Sequence, residues 1–204
     1  MIRGDLSNRL IHLTRDTKEM SAEEAFDAIL REKKLRHSRY DIHGGHKVVS
    51  FTEAPLTALA QTMATTPGAM RYRPFGFMVS KDWLYAKGGR PVIYGEHHEY
   101  EELPESMKYR YVKYEPEGAR NIDWTWEREW RIQTEALELD PRYTTLIVPR
   151  RMIADRYREE HADNITAKAV ALSDVAFAIT EPYPWHYVAL EDLGIDFPKA
   201  DVVP

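Results

Sequence analysis

Cysteine is absent from the 204-residue chain, which excludes a disulfide framework, a thiol nucleophile, an iron–sulfur cluster and a cysteine-based zinc finger. Long hydrophobic runs are absent too. No stretch approaches the roughly 18 consecutive apolar residues of a membrane span, and Met1-Ile2-Arg3-Gly4-Asp5 carries no apolar leader. The expectation is a soluble, cytoplasmic protein without membrane contact. A basic excess is missing as well: 28 Lys and Arg face 33 Asp and Glu, for a net charge of −5. That balance excludes an electrostatically driven nucleic-acid coat and leaves room only for a local basic groove. There is no internal repeat, GxGxxG or Walker loop, GxSxG elbow or HExxH; Gly44-Gly45 and Gly88-Gly89 are bare pairs that read as turns.

What is present is ordinary globular composition, 43% hydrophobic and 30% charged, at a length that suits one domain over 1–204, with 151–204 as an extension packed on it. Residues 9–14 alternate as a strand, with Leu10, His12 and Thr14 on one face. Ser21-Ala22-Glu23-Glu24 forms a capping box for a helix over 22–33. Strands are expected at 47–51, 74–79, 90–94, 109–114, 126–134, 144–148, 167–172 and 175–179. Helices are expected from Pro55 through Met63, from Ser80 to Lys87 and over 150–160, the last as a surface helix. Strands and helices intersperse without a strict βαβ rhythm. The fold class is therefore α+β, with a mixed or antiparallel sheet and short flanking helices.

The sharpest chemical signal is Trp124-Thr125-Trp126-Glu127-Arg128-Glu129-Trp130-Arg131-Ile132. Read as a strand, it places Glu127, Glu129 and Arg131 on one face and Trp126, Trp130 and Ile132 on the core face. Two carboxylates this close raise each other's pKa unless a cation intervenes. Such a pair can stabilise an oxocarbenium-like centre while orienting a nucleophile; the bland alternative is an ion pair on a solvated sheet face. His12 and Thr14 can hydrogen-bond a nucleotide; the commoner alternative is a satisfied, half-buried histidine. His43, His46, His97 and His98, with Glu53, Glu96 or Glu99, offer metal ligands for a nuclease, against the plainer expectation of solvated loops and no metal. Tyr109 and Tyr111, alternating with Arg110, Val112 and Lys113, suggest either base stacking or packing, and the surrounding acids favour packing.

Four segments in order, Phe51-Thr52-Glu53-Ala54-Pro55-Leu56, Phe75-Gly76-Phe77-Met78-Val79-Ser80-Lys81-Asp82-Trp83-Leu84, Gly88-Gly89-Arg90-Pro91-Val92-Ile93-Tyr94 and Glu127-Arg128-Glu129-Trp130-Arg131, resemble the AbiGi-type abortive phage-resistance family across roughly residues 9 to 150. That resemblance implies an antiviral, phage-defence or toxin–antitoxin setting. A more distant resemblance is to DarT-like ADP-ribosyltransferases, carried by His-x-Thr on a first strand and Glu-x-Glu on a late one. It implies a split sheet, NAD as substrate contacted by His12, Thr14 and Ser50, and catalysis by Glu129 or Glu127 on a nucleic-acid or protein acceptor. The DarT-like group carries an arginine just before the proline of its second strand, whereas Ala54 stands here; Arg71, Arg73 and Arg15 are the candidates to replace it. The competing expectation is a non-catalytic antitoxin or abortive-infection module that binds a partner protein through its acidic, aromatic 94–126 stretch.

Overall fold

The computed structural model describes residues 7–66, 68, 70–118, 121–172, 182–195 and 197. Along the chain run β1 (Arg9–Leu13), α1 (Ala22–Glu32), β2 (Lys34–Arg36), β3 (Val48–Thr52), α2 (Leu56–Thr65), β4 (Gly76–Ser80), α3 (Lys81–Ala86) and β5 (Arg90–Pro91). There follow β6 (Ile93–Gly95), α4 (Glu99–Glu102), β7 (Tyr111–Lys113), β8 (Glu129–Gln133), β9 (Ala136–Glu138), β10 (Thr144–Val148), α5 (Arg151–Leu172) and β11 (His186–Ala189). Seven strands form one sheet in the order β11-β10-β4-β1-β3-β8-β5, with β2-β9 and β6-β7 as separate ribbons. Within the large sheet only β10 and β11 are parallel; its other neighbours are antiparallel. The fold is α+β with a mixed sheet.

Alternation along β1 drives the layering. Leu10 joins Phe77, Val79, Leu146 and Val148 on one sheet face, covered by Phe26 of α1 and by Ile153, Ala154 and Tyr157 of α5. Ile11, Leu13 and Ile147 face the other way, onto Leu59, Ala60 and Met63 of α2. The capping box forms: the Ser21 hydroxyl accepts from the Glu24 amide at 3.2 Å, and the Glu24 carboxylate accepts from the Ser21 amide at 2.7 Å, an arrangement worth about 1 kcal/mol. Ser80 likewise caps α3 by accepting from the Trp83 amide.

Four expectations are corrected. Residues 90–94 do not make one strand: Pro91, lacking an N–H, sits on the edge strand β5, and the chain then leaves for the β6-β7 ribbon. The strand expected over 126–134 begins only at Glu129, because Thr125–Glu127 form a 3₁₀ turn closed by Arg128 in the left-handed region (φ 45°). Trp126 is thereby turned out of the core and is 47% exposed. Residues 167–172 continue α5 rather than forming a strand; their alternating alanines are strong helix formers. The α5 helix is also more than a surface element, since it buries Ile153, Ala154 and Tyr157. The strand expected at 175–179 lies outside the described residues. Among the described residues no helix is long and apolar enough to cross a membrane.

Candidate functional site

β1 pairs with β4 at five consecutive positions, and β3 with β8 at five, but β1 and β3 pair only at Ile11↔Thr52. The central ladder stops there. An interrupted ladder leaves backbone carbonyls in need of donors, and His12 supplies one, its Nδ1 lying 2.8 Å from the Ser50 carbonyl oxygen. Because a carbonyl can only accept, Nδ1 carries the hydrogen and Nε2 is the acceptor. Burial lowers the His12 pKa against the opposing pull of the Ser50 carbonyl, and Arg15 lowers it further; the ring is neutral at pH 7. Gly76 permits this arrangement, since a Cβ there would collide with the His12 carbonyl.

Opposite His12 stand the two glutamates. They reach the site through the 3₁₀ turn and not by strand alternation. Tyr94 staples that turn: its hydroxyl accepts from the Glu129 amide at 3.3 Å and donates to the Trp124 carbonyl at 3.2 Å. Thr52 adds a bond from its hydroxyl to the Glu127 carbonyl. Glu129 forms a fork with Arg131, with Nε to Oε1 at 2.8 Å and Nη2 to Oε2 at 3.1 Å. Glu127 is 8% exposed. Burial, reinforced by the Glu129 charge and opposed by Arg71 and Arg131, raises its carboxyl to about 7. One carboxylate is therefore locked by a cation, while its neighbour is poised to exchange a proton at neutral pH.

These groups border a cleft of about 660 Å³, within the range of about 300–1,000 Å³ typical of small-molecule sites. A smaller apolar slot of about 80 Å³ shares His12, Ser50, Tyr72, Glu127 and Glu129 with it and is bounded by Ile11, Phe51, Leu59 and Trp126. The carboxylates stand where the two spaces meet. Arg15, Arg36, Arg71, Lys113 and Arg131 outnumber Asp41, Glu127 and Glu129 along the larger cleft, although the chain as a whole is acidic. Tyr40, Tyr72 and Trp124 contribute aromatic surface, and Trp124 is 46% exposed. The site thus favours an anionic ligand with flat rings, and it holds buried carboxylates against any positive centre that develops.

Of the residues anticipated from sequence, His12, Ser50, Glu127 and Glu129 meet in this cleft. Thr14 also borders it, but the Thr14 hydroxyl is buried and donates to the carbonyls of Ala22 (2.8 Å) and Phe75 (3.2 Å), so it ties β1 to α1 and β4. Among the candidate arginines, Arg71 is the one whose field offsets burial at Glu127; its guanidinium also reaches the Tyr72 hydroxyl (3.2 Å) and Asp41 (3.4 Å). Arg73 pairs with Asp16 at 2.5 Å, and Arg15 lies over the Tyr40 ring. Tyr72 and Tyr94 join the site with little local signal in the sequence. Tyr72 lies in an unpatterned connection, and only the Pro-Val-x-Tyr segment marked Tyr94.

His43 and His46 serve packing, whereas His97 and His98 are exposed. His43 makes edge contacts with His97, Tyr100 and Tyr111, and His46 hydrogen-bonds the Tyr100 hydroxyl. Among the described residues no group of three His, Asp or Glu is disposed to hold a metal ion, so the nuclease reading finds no ligand set there. Tyr100, Tyr109 and Tyr111 are buried rather than stacked outward as a base platform. Residues from three of the four AbiGi-like segments also converge away from the cleft: Glu53 accepts from Lys81 (2.5 Å) and from the Trp130 indole (2.8 Å), clamping β3, α3 and β8 together. No family model matches the chain, and neither the curated proteins nor the solved structures give a match to it.

Proposed function

We propose that the protein is an ADP-ribosyltransferase-like enzyme that uses NAD as substrate, acting in phage defence. The observation that carries the chemistry is the convergence of His12, Glu127, Glu129 and Arg71 on one cationic, aromatic cleft. The phage-defence setting rests on the four AbiGi-like segments. The residues fit such a substrate: cations for its phosphates, aromatic faces for its rings, and carboxylates for the ribosyl centre. In the transfer the bond between ribose C1′ and the nicotinamide nitrogen breaks, with its electron pair leaving on nicotinamide. A bond forms from C1′ to an acceptor oxygen or nitrogen, and the acceptor's proton passes to Glu127. Glu129, held in the Arg131 fork, stabilises the positive charge on the ribose in the transition state. Neutral His12 offers Nε2 to a hydroxyl of the substrate.

Calorimetry with NAD and turnover assays with nucleic-acid and protein acceptors test this reading. Binding at millimolar NAD, with turnover sharply reduced in Glu129→Gln and Glu127→Gln, is expected. No binding, or undiminished turnover in Glu129→Gln, overturns it. A second reading, a non-catalytic antitoxin or abortive-infection module binding a partner protein, draws on the exposed Trp124 and Trp126 at the cleft rim. Co-purification of a stoichiometric partner that is lost in Trp126→Ala, from a protein that does not bind NAD, is its signature.

A further inference from the structure

Arg131 is a buried guanidinium in mid-strand, 4% exposed, and its bonds run in two directions. Two N–H groups form the fork to Glu129. Nη1 donates to the backbone carbonyls of Tyr109 at 3.2 Å and Tyr111 at 2.7 Å. The Tyr109 carbonyl lies in the turn before β7 and the Tyr111 carbonyl opens β7, whose Val112 and Lys113 form part of the cleft wall. The segment is itself stiffened by the ring cluster of Tyr111, Tyr100 and His43. One planar group therefore fixes a wall of the cleft and the carboxylate on its floor in a single geometry.

The bland account is that Arg131 only satisfies two carbonyls. A lysine, or a backbone N–H, could do that without a fork, and the two-point fork ties the Glu129 carboxylate to the plane of the guanidinium. A carboxylate has about four acceptor positions; Arg131 takes two of them along one edge, which leaves the rest for a cationic centre. We propose that Arg131 is a positioning residue. By bridging the Tyr109–Tyr111 wall to Glu129, it holds that carboxylate in its productive orientation. The proposal rests on the ribosyl-transfer reading above.

The test is a double-mutant cycle on NAD turnover with Arg131→Lys, Glu129→Gln and the combined variant, with melting temperatures measured alongside. Lysine keeps the charge and some donors but cannot make the fork. The expected result for Arg131→Lys is a kcat loss on the order of 100-fold, the scale of an ångström-sized misplacement, with KM for NAD changed far less. In the Glu129→Gln background the same change should cost little more, because residues acting as a unit are not additive. Equal losses in both backgrounds, or an unchanged kcat, overturn the proposal. Should Arg131→Lys fail to fold, Arg131→Gln carries the same cycle; failure of both to fold assigns Arg131 to the fold alone and also overturns it. A folded wild type that neither binds nor turns over NAD instead refutes the ribosyl-transfer reading at its root and removes the proposal with it.

Discussion

Replacing Glu127 by Gln should stabilise the protein, and only at neutral and alkaline pH. Burial, reinforced by the neighbouring Glu129 charge, raises the Glu127 carboxyl from 4.5 to about 7, so the folded chain holds this proton more tightly than the unfolded chain does. For a group raised on folding, the stability it contributes is fully present below the unfolded value and is lost as pH rises through the folded one. Here that window runs from about pH 4.5 to about 7. At about 1.4 kcal/mol per pH unit, the gap corresponds to about 3 kcal/mol. Glutamine has the same shape and no charge at any pH, so Glu127→Gln escapes the loss. Relative to wild type it should match near pH 4 and gain up to about 3 kcal/mol near pH 8, or roughly 6–12 °C in Tm for a chain of this length. Urea or thermal denaturation of both proteins across that range is the assay, and subtracting the two curves cancels every other titrating group. A constant offset at all pH values, or a loss at pH 8, would refute the reasoning, since either requires that Glu127 does not carry a disfavoured buried charge. The same variant should lose NAD turnover, an active-site group being retained at a cost in stability.

Arg71→Ala removes the cation that most offsets burial at Glu127; the Glu127 pKa rises, so the base-limited turnover should set in at higher pH, and Arg71→Lys should bring it part of the way back. An unmoved pH–rate profile counts against the assignment. Trp130→Ala should cost about 3–5 kcal/mol in urea denaturation, because the ring is buried and its indole N–H bonds Glu53. Trp126→Ala, at an exposed position, should change stability by less than about 0.5 kcal/mol while weakening ligand binding; equal destabilisation by the two would contradict the outward turn of Trp126. Thr14→Val should cost about 0.5–1.5 kcal/mol by removing the buried hydroxyl's bonds to the Ala22 and Phe75 carbonyls, with affinity for NAD unchanged; a loss of affinity in a folded Thr14→Val protein would return Thr14 to the binding site.

Most of the elements were legible in the sequence because their signals are local. Ser21 and Glu24 cap a helix through contacts three residues apart, Ser80 caps another, and the apolar runs of Leu10–Leu13 and Leu146–Val148 are a property of adjacent residues. Glu127, Glu129 and His12 could be singled out on the same basis, as residue types able to perform one chemistry. How they meet is not local. Arg128 adopts a left-handed backbone that tertiary contacts must hold, with Thr52 and Tyr94 bonded to the flanking turn, and strand periodicity cannot foresee such a residue. It put Trp126 outside and brought Glu127 to the cleft by another route. The ending of the β1–β3 ladder after Ile11↔Thr52 likewise depends on strands 38 residues apart, His12 to Ser50. The division of labour between two neighbouring glutamates was also decided in three dimensions. Both carry the same carboxylate, but the buried Arg131 fork claimed Glu129, and burial with a like charge beside it left Glu127 half-protonated near pH 7. Composition and spacing name the groups that can do chemistry; the dielectric and the charges around each one, which only the folded chain supplies, determine which does what.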